Sequence, residues 1–212
     1  MTVWELQKEI HRAVKQHLRP GMTELALAQV ISDVCPHWQG DLITGERTAE
    51  IEGGPTNRVI QPGDVVLLDL QVNAENQWSD LTRVYFAGEP DEEQKEAYRQ
   101  VLSALKAGEE LLRPGTKGVV LWERMRKAIG TPYAFDHHGG HRIGTEEIVV
   151  DPRFVPECEE ELKAGMIVTL EPAVYYPGKF GIRLENNYRI TETGYERLDD
   201  LSLDESDYIV KG

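Results

Sequence analysis

Two carboxylates stand at matched places in this chain. Asp69 closes the run Gln61-Pro62-Gly63-Asp64-Val65-Val66-Leu67-Leu68-Asp69, and Glu171 closes Lys163-Ala164-Gly165-Met166-Ile167-Val168-Thr169-Leu170-Glu171. In each run a glycine turn opens a mostly apolar strand, and the acid falls six residues after the glycine. A second acid follows in each half, Asp80 and then Glu185. Acids directed inward from apolar strands cost several kcal/mol unless a positive charge compensates them. His141, in Gly140-His141-Arg142-Ile143-Gly144, adds an imidazole at the start of a strand. Four carboxylates and one imidazole suit two divalent ions of hard or borderline character, such as manganese, cobalt, zinc or iron. With so few ligands, some carboxylates must bridge. Such a pair lowers the pKa of a bound water and stabilises the oxyanion of an attacked carbonyl, which is hydrolytic chemistry. Taken singly, an Asp in a strand more often pairs with Lys or Arg, and a glycine-flanked histidine is more often a loop residue. The joint order carries the reading.

These side chains need elements to hold them. Val3, Leu6, Ile10 and Val14 recur at helical spacing and predict a helix over residues 3–18, stopped by Pro20-Gly21. Thr23 caps a second helix with the stripe Leu27, Val30, Ile31 and Val34. Strands are expected at 42–51, 65–72 and 81–86, the last two joined by a hairpin loop over 73–77. That hairpin would bring Asp69 and Asp80 together. Pro90-Asp91 starts a long helix, with Asp91 and Gln94 in capping-box positions, and another helix runs over 116–129. Three more strands fit 142–150, 167–175 and 183–191. Both halves thus run helix, helix, strands, and both carry Leu-Arg-Pro-Gly between the helices, at 18–21 and 112–115. An internal duplication follows: an α+β domain over residues 1–212, its strands side by side in one curved antiparallel sheet with helices on the outer face.

Bulk properties exclude several classes. The chain has 212 residues, 40% hydrophobic and 28% charged, an ordinary globular mixture long enough for one well-buried domain. A net charge of −14 argues against nucleic acid as a partner. Cys35 and Cys158 make neither a disulfide framework nor a zinc site. No signal peptide or membrane span is evident, so no membrane partner is expected, and a reducing, cytoplasmic home follows.

Several motifs together carry a resemblance. Asp69 is followed by Asp80-Leu81-Thr82-Arg83, then Gly140-His141-Arg142-Ile143-Gly144, then Gly165-Met166 leading to Glu171-Pro172, then Gly181-Ile182-Arg183-Leu184-Glu185. This set resembles the pita-bread metallopeptidases, which include methionine aminopeptidase, aminopeptidase P and the Xaa-Pro dipeptidases. Arg83 and Arg183 favour the proline-specific branch. The likeness covers nearly the whole chain, without the extra N-terminal domain usual in that branch. It implies that Asp69 holds one metal, His141 and Glu171 the other, with Asp80 and Glu185 bridging. Glu171 would also take the proton of the attacking water. Arg183 would face the substrate, binding a carboxylate or the carbonyl. His137 matches a histidine near the substrate, with His138 as the competing candidate. A homodimer is the assembly the resemblance allows.

Two family histidines are replaced. Upstream of Asp69 the stretch reads Ala49-Glu50-Ile51-Glu52-Gly53-Gly54-Pro55-Thr56, with Glu52 in the histidine's place; the other histidine should fall near Ile148 or Val149. Glu52 could bind a substrate amine, or stand as an exposed loop carboxylate. The expected function is hydrolysis of a dipeptide, short peptide or related small amide by two divalent ions. The alternatives are a pita-bread binding module that has lost turnover, and a metal-free enzyme on the same fold.

Overall fold

Capping chemistry sets the helix starts. In the computed structural model, which describes residues 1–210, the Thr2 side chain accepts from the Glu5 amide and the Glu5 carboxylate from the Thr2 amide, opening α1 (Val3–His17). Thr23 caps α2 (Glu24–Val34), and Asp91 with Gln94 forms the capping box of α3 (Glu92–Glu109). Gly130, left-handed at φ 68, ends α4 (Gly118–Ile129). Val3, Leu6, Ile10 and Val14 pack with Leu27 and Ile31 into one apolar cluster, while α3 and α4 supply a second with Val101, Leu105, Leu121 and Met125.

The strands repeat the same order in both halves. The first sheet runs β1 (Gln39–Thr44), β2 (Val65–Ala74), β3 (Gln77–Ala87) and a short parallel β11 (Ile209–Val210). The second contains β4 (His141–Ile143), β5 (Val149–Arg153), β6 (Ile167–Leu170), β9 (Asn186–Ile190) and β10 (Tyr195–Arg197), ordered β10-β9-β6-β4-β5. Thus β1-β2-β3 answers β4-β6-β9. The backbone repeats in detail: Gly21 N donates to Ile60 O and Gly115 N to Leu162 O, both at 2.9 Å. Gly63 N and Gly165 N donate to Ala87 O and Ile190 O, and both glycines sit at φ 88, a left-handed turn that a Cβ would strain.

The halves meet where β3 lies beside β9. Glu185 N donates to Thr82 O at 3.1 Å, and the Asn187 side chain bonds both the amide and the carbonyl of Asp80. The curved layer is therefore three ladders rather than one. The third is the hairpin β7 (Ala173–Tyr176) and β8 (Phe180–Arg183), interposed between β6 and β9 where the first half passes directly from β2 to β3.

Four expected strands and one expected hairpin loop are corrected. The strand expected at 42–51 is β1 followed by a 3-10 turn, Gly45–Ala49, begun by Gly45 at φ 62. The loop expected over 73–77 shrinks to Glu75-Asn76, both left-handed, the geometry of a two-residue hairpin. The strands expected at 167–175 and 183–191 each break in the middle, at Glu171-Pro172 and Leu184-Glu185. The strand expected at 142–150 is two, β4 and β5, separated at Gly144. Among the described residues no helix is long and apolar enough to cross a membrane.

Candidate metal centre

The two breaks place acids where a regular strand could not. Glu171 falls between β6 and β7, Glu185 between β8 and β9, and both are buried. Asp69 on β2 pairs in register with Thr82, and Asp80 on β3 with Gln71, so alternation turns these side chains to one face. His141 opens β4. All five line one cavity of about 400 Å³, together with Arg183, His137, His138 and Glu52.

His141 is oriented from behind. Its Nδ1 lies 3.0 Å from Arg142 O, and donation there leaves Nε2 facing the acids. Nε2 stands 3.4 Å from Asp80 Oδ2, 3.9 Å from Glu171 Oε1 and 4.0 Å from Glu185 Oε1. Gln71 donates to Asp80 Oδ2 at 3.0 Å, and Thr82 donates to Glu185 Oε2 at 3.0 Å. One ligand atom each from Asp80, His141 and Glu185 lies within 4.8 Å of the others, and a second such trio is His137, His138 and Glu171. Asp69 Oδ1, Asp80 Oδ1 and Glu171 Oε1 are buried without a hydrogen-bond partner. Orphaned acid oxygens converging beside an oriented imidazole are what divalent cations require, so these residues fit the metals.

The electrostatics say the same. Burial and then the charges of Asp80 and Glu171 push Glu185 well above the usual carboxylate range. Asp80 is raised by burial and by Asp69. Burial would lower His141, but its contact with Asp80 and the Glu171 charge carry it up to about 9. Glu171 goes the other way: burial opposes ionisation, yet His138, His141 and His137 hold the acid below its usual value.

A family comparison decides the lineage. The sequence model of metallopeptidase family M24 matches residues 3–192. The chain belongs to that family. The Xaa-Pro dipeptidase of Pyrococcus furiosus is 36% identical to this M24 chain over 166 residues, covering 77% of the chain and 47% of that protein. The crystal structure of an X-Pro aminopeptidase from Thermotoga maritima superposes with a TM-score of 0.90 at 29% identity, covering 98% of this chain and 60% of that one. The prolidase from Pyrococcus furiosus superposes at 0.87 with 31% identity, covering 93% of this chain and 61% of that one. The fold is the pita-bread fold. The chain spans about half the length of the curated relatives it matches.

Within this M24 site the two neighbouring histidines separate. His137 has both ring nitrogens engaged, Nδ1 with His138 O at 2.6 Å and Nε2 with the Tyr175 hydroxyl at 2.9 Å. His138 Nδ1 instead stands 2.9 Å from Glu171 Oε1, a close charge contact that is not an aligned hydrogen bond. Helix α4 pins this segment: Trp122 donates to His137 O at 2.9 Å, and Arg126, stacked on Trp122, donates to Phe135 O.

Glu52 is exposed on the cavity rim, but the backbone on either side of it is fixed. Ile51 O accepts from Arg183 at 3.1 Å, Gly53 N donates to Asp41 at 2.9 Å, and Gly53 O accepts from Leu42 N. Val149, at one of the two positions where a family histidine is replaced, also lines the cavity. Sequence reading missed Asp41, Gln71 and Tyr175. The β1–β2 register sets Asp41 directly opposite Asp69, a signal available only once that pairing is known. Burial, with the charges of Asp69 and Glu52, raises Asp41 despite the Arg183 guanidinium.

Proposed function

We propose that this chain, acting as one domain over residues 1–212, is a metal-dependent peptidase that cleaves the amide bond of a dipeptide, short peptide or related amide of the Xaa-Pro type. Asp69, Asp80, His141, Glu171 and Glu185 would hold two divalent ions; manganese, cobalt, zinc and iron all suit the donors. The observation carrying this reading is the set of buried, unpartnered acid oxygens around His141 Nε2. When bound, such ions supply an activated water and charge stabilisation for the tetrahedral oxyanion.

The protein's own groups do the rest. Glu171, held ionised by the histidines, accepts the proton of the attacking water. His138, 2.9 Å from Glu171, is placed to pass that proton to the departing nitrogen, work that two family histidines would otherwise assist. His137 acts near the substrate through Tyr175. Glu52 meets the substrate amine at the rim. The protein works in the cytoplasm, in keeping with two unpaired cysteines, and assembles as a homodimer.

Reconstitution with Mn(II), Co(II) or Zn(II), followed by a panel of Xaa-Pro dipeptides and longer Xaa-Pro peptides, tests the reading. Cleavage that chelation abolishes and ion addition restores is expected. Ion uptake with no cleavage across the panel would favour a binding module.

A further inference from the structure

Each acid on the β2–β3 ladder stands across from a neutral polar side chain. The register sets Asp69 opposite Thr82 and Gln71 opposite Asp80, and alternation turns all four to the cavity face. Thr82 is wholly buried and donates to Glu185 Oε2 at 3.0 Å. Gln71 is only half-buried, lines the cavity, and donates from Nε2 to Asp80 Oδ2 at 3.0 Å. An ionised carboxylate only accepts, so the amide nitrogen is the atom that must face it. Among the described residues no other side chain makes a hydrogen bond to the Asp80 carboxylate; His141 Nε2 stands farther off, at 3.4 Å.

That one bond settles how Asp80 presents itself. Asn187 fixes its main chain through both the amide and the carbonyl. Gln71 then fixes the rotation of the carboxyl group, engaging Oδ2 and leaving Oδ1 buried without a partner. Without the amide, Oδ2 is free to swing onto His141 Nε2, and the two would pair with each other instead of with an ion. The charge balance with ions in place also calls for a neutral donor here. Two divalent ions match Asp69, Asp80, Glu171 and Glu185 charge for charge, and Arg183 offsets Asp41. An amide orients a ligand without disturbing that balance, which a lysine or a glutamate would upset. Outer donors of this kind typically change ion affinity by about 10–100-fold. We infer that Gln71 is a positioning residue for the metal centre, which through Asp80 sets how tightly, and in which geometry, the ions are held. The inference rests on the metal-dependent reading above, and adds to it a residue that acts through a ligand rather than as one.

Gln71→Met keeps the length of the side chain and removes the donor. Equilibrium dialysis against Mn(II) should show affinity falling by about 10–100-fold, with the limiting number of ions per chain unchanged. The visible absorption of the Co(II)-loaded variant should shift, because Asp80 turns, while the urea midpoint of the ion-free protein stays where it is. Turnover lost at limiting Mn(II) should return when the ion is in excess. A KM that stays raised at every ion concentration would make Gln71 a substrate contact and overturn the inference. So would unaltered affinity and spectrum, or an affinity loss that tracks a lowered ion-free midpoint. Should Gln71→Met fail to fold, Gln71→Ala, which only shortens the side chain, is read by the same measures. If the unsubstituted protein takes up two ions and the variant binds them as tightly, the role of Gln71 alone falls; no uptake by the unsubstituted protein overturns the metal reading as well.

Discussion

Two buried charge clusters flank the seam between β3 and β9, and they are finished to different degrees. On one side Arg83 is wholly buried, yet every donor has a partner: Tyr208, Thr82 O, Glu185 O, Asn186 and Asp199. Asp199 in turn accepts from Asn187 N and Arg197. On the other side Asp80 and Glu171 keep buried oxygens with no partner. Strand alternation separates the two, sending Asp80 and Thr82 one way and Arg83 the other. A completed network stabilises the fold, whereas one left open by several acids implies something yet to be bound.

Substitutions on the two sides should therefore fail differently. The largest effect belongs to the open side: Glu171→Gln should lower kcat by ~10²–10⁴-fold while bound metal, measured by atomic absorption, is retained. Loss of metal with activity would move Glu171 from proton acceptor to ligand alone. On the closed side Arg83→Met should cost about 3–5 kcal/mol in urea unfolding, because Thr82 O, Glu185 O and the Asn186 side chain lose a buried charged donor and Asp199 keeps only Arg197 as a charge partner. A loss under 1 kcal/mol, by the order of surface pairs, would show that the network is not what holds the seam.

The closed side also carries a pH signature. His11 is buried against Tyr85, and burial with the nearby Arg83 charge lowers it from 6.5 to about 3. Its folded value lies below its unfolded one, so the unfolded chain binds the extra proton. Its contribution is full above pH 6.5 and is lost as pH falls toward 3. On the order of 3 kcal/mol should go between pH 6.5 and about pH 4, and His11→Gln should remove that component from the pH profile of the urea midpoint. The smallest effect is expected at the rim: Glu52→Gln should raise KM less than about fivefold, for free amino termini only, since Glu52 is exposed. Equal effects on blocked substrates would end its role as an amine contact.

Much of this is legible in the sequence alone. The paired glycine turns and Leu-Arg-Pro-Gly repeats gave the duplication because each forces a particular backbone, and those turns recur with the same bonds. Asp69, Asp80, His141, Glu171 and Glu185 could be picked out because unpaired acids are rare in apolar strands. The break at Pro172 was signalled by a proline that the expected strand 167–175 ran through, and the one at Leu184 falls among Arg183, Glu185, Asn186 and Asn187, where no apolar alternation marks a boundary. Asp41 was invisible for a different reason: its meaning depends on Arg183, 142 positions later, and on a β1–β2 register that local pattern does not fix. The choice between His137 and His138 likewise turned on Trp122 and Tyr175, both remote in sequence.

Equilibrium dialysis of the chelated protein against Mn(II) and Co(II) near neutral pH, with ion content measured per chain, tests the central claim most directly. Two ions per chain are expected, with affinity strongly reduced in Asp80→Asn because that acid stands beside His141 Nε2 with a buried oxygen left unpartnered. Binding of no ion at all, or uptake indifferent to Asp80→Asn, would contradict it.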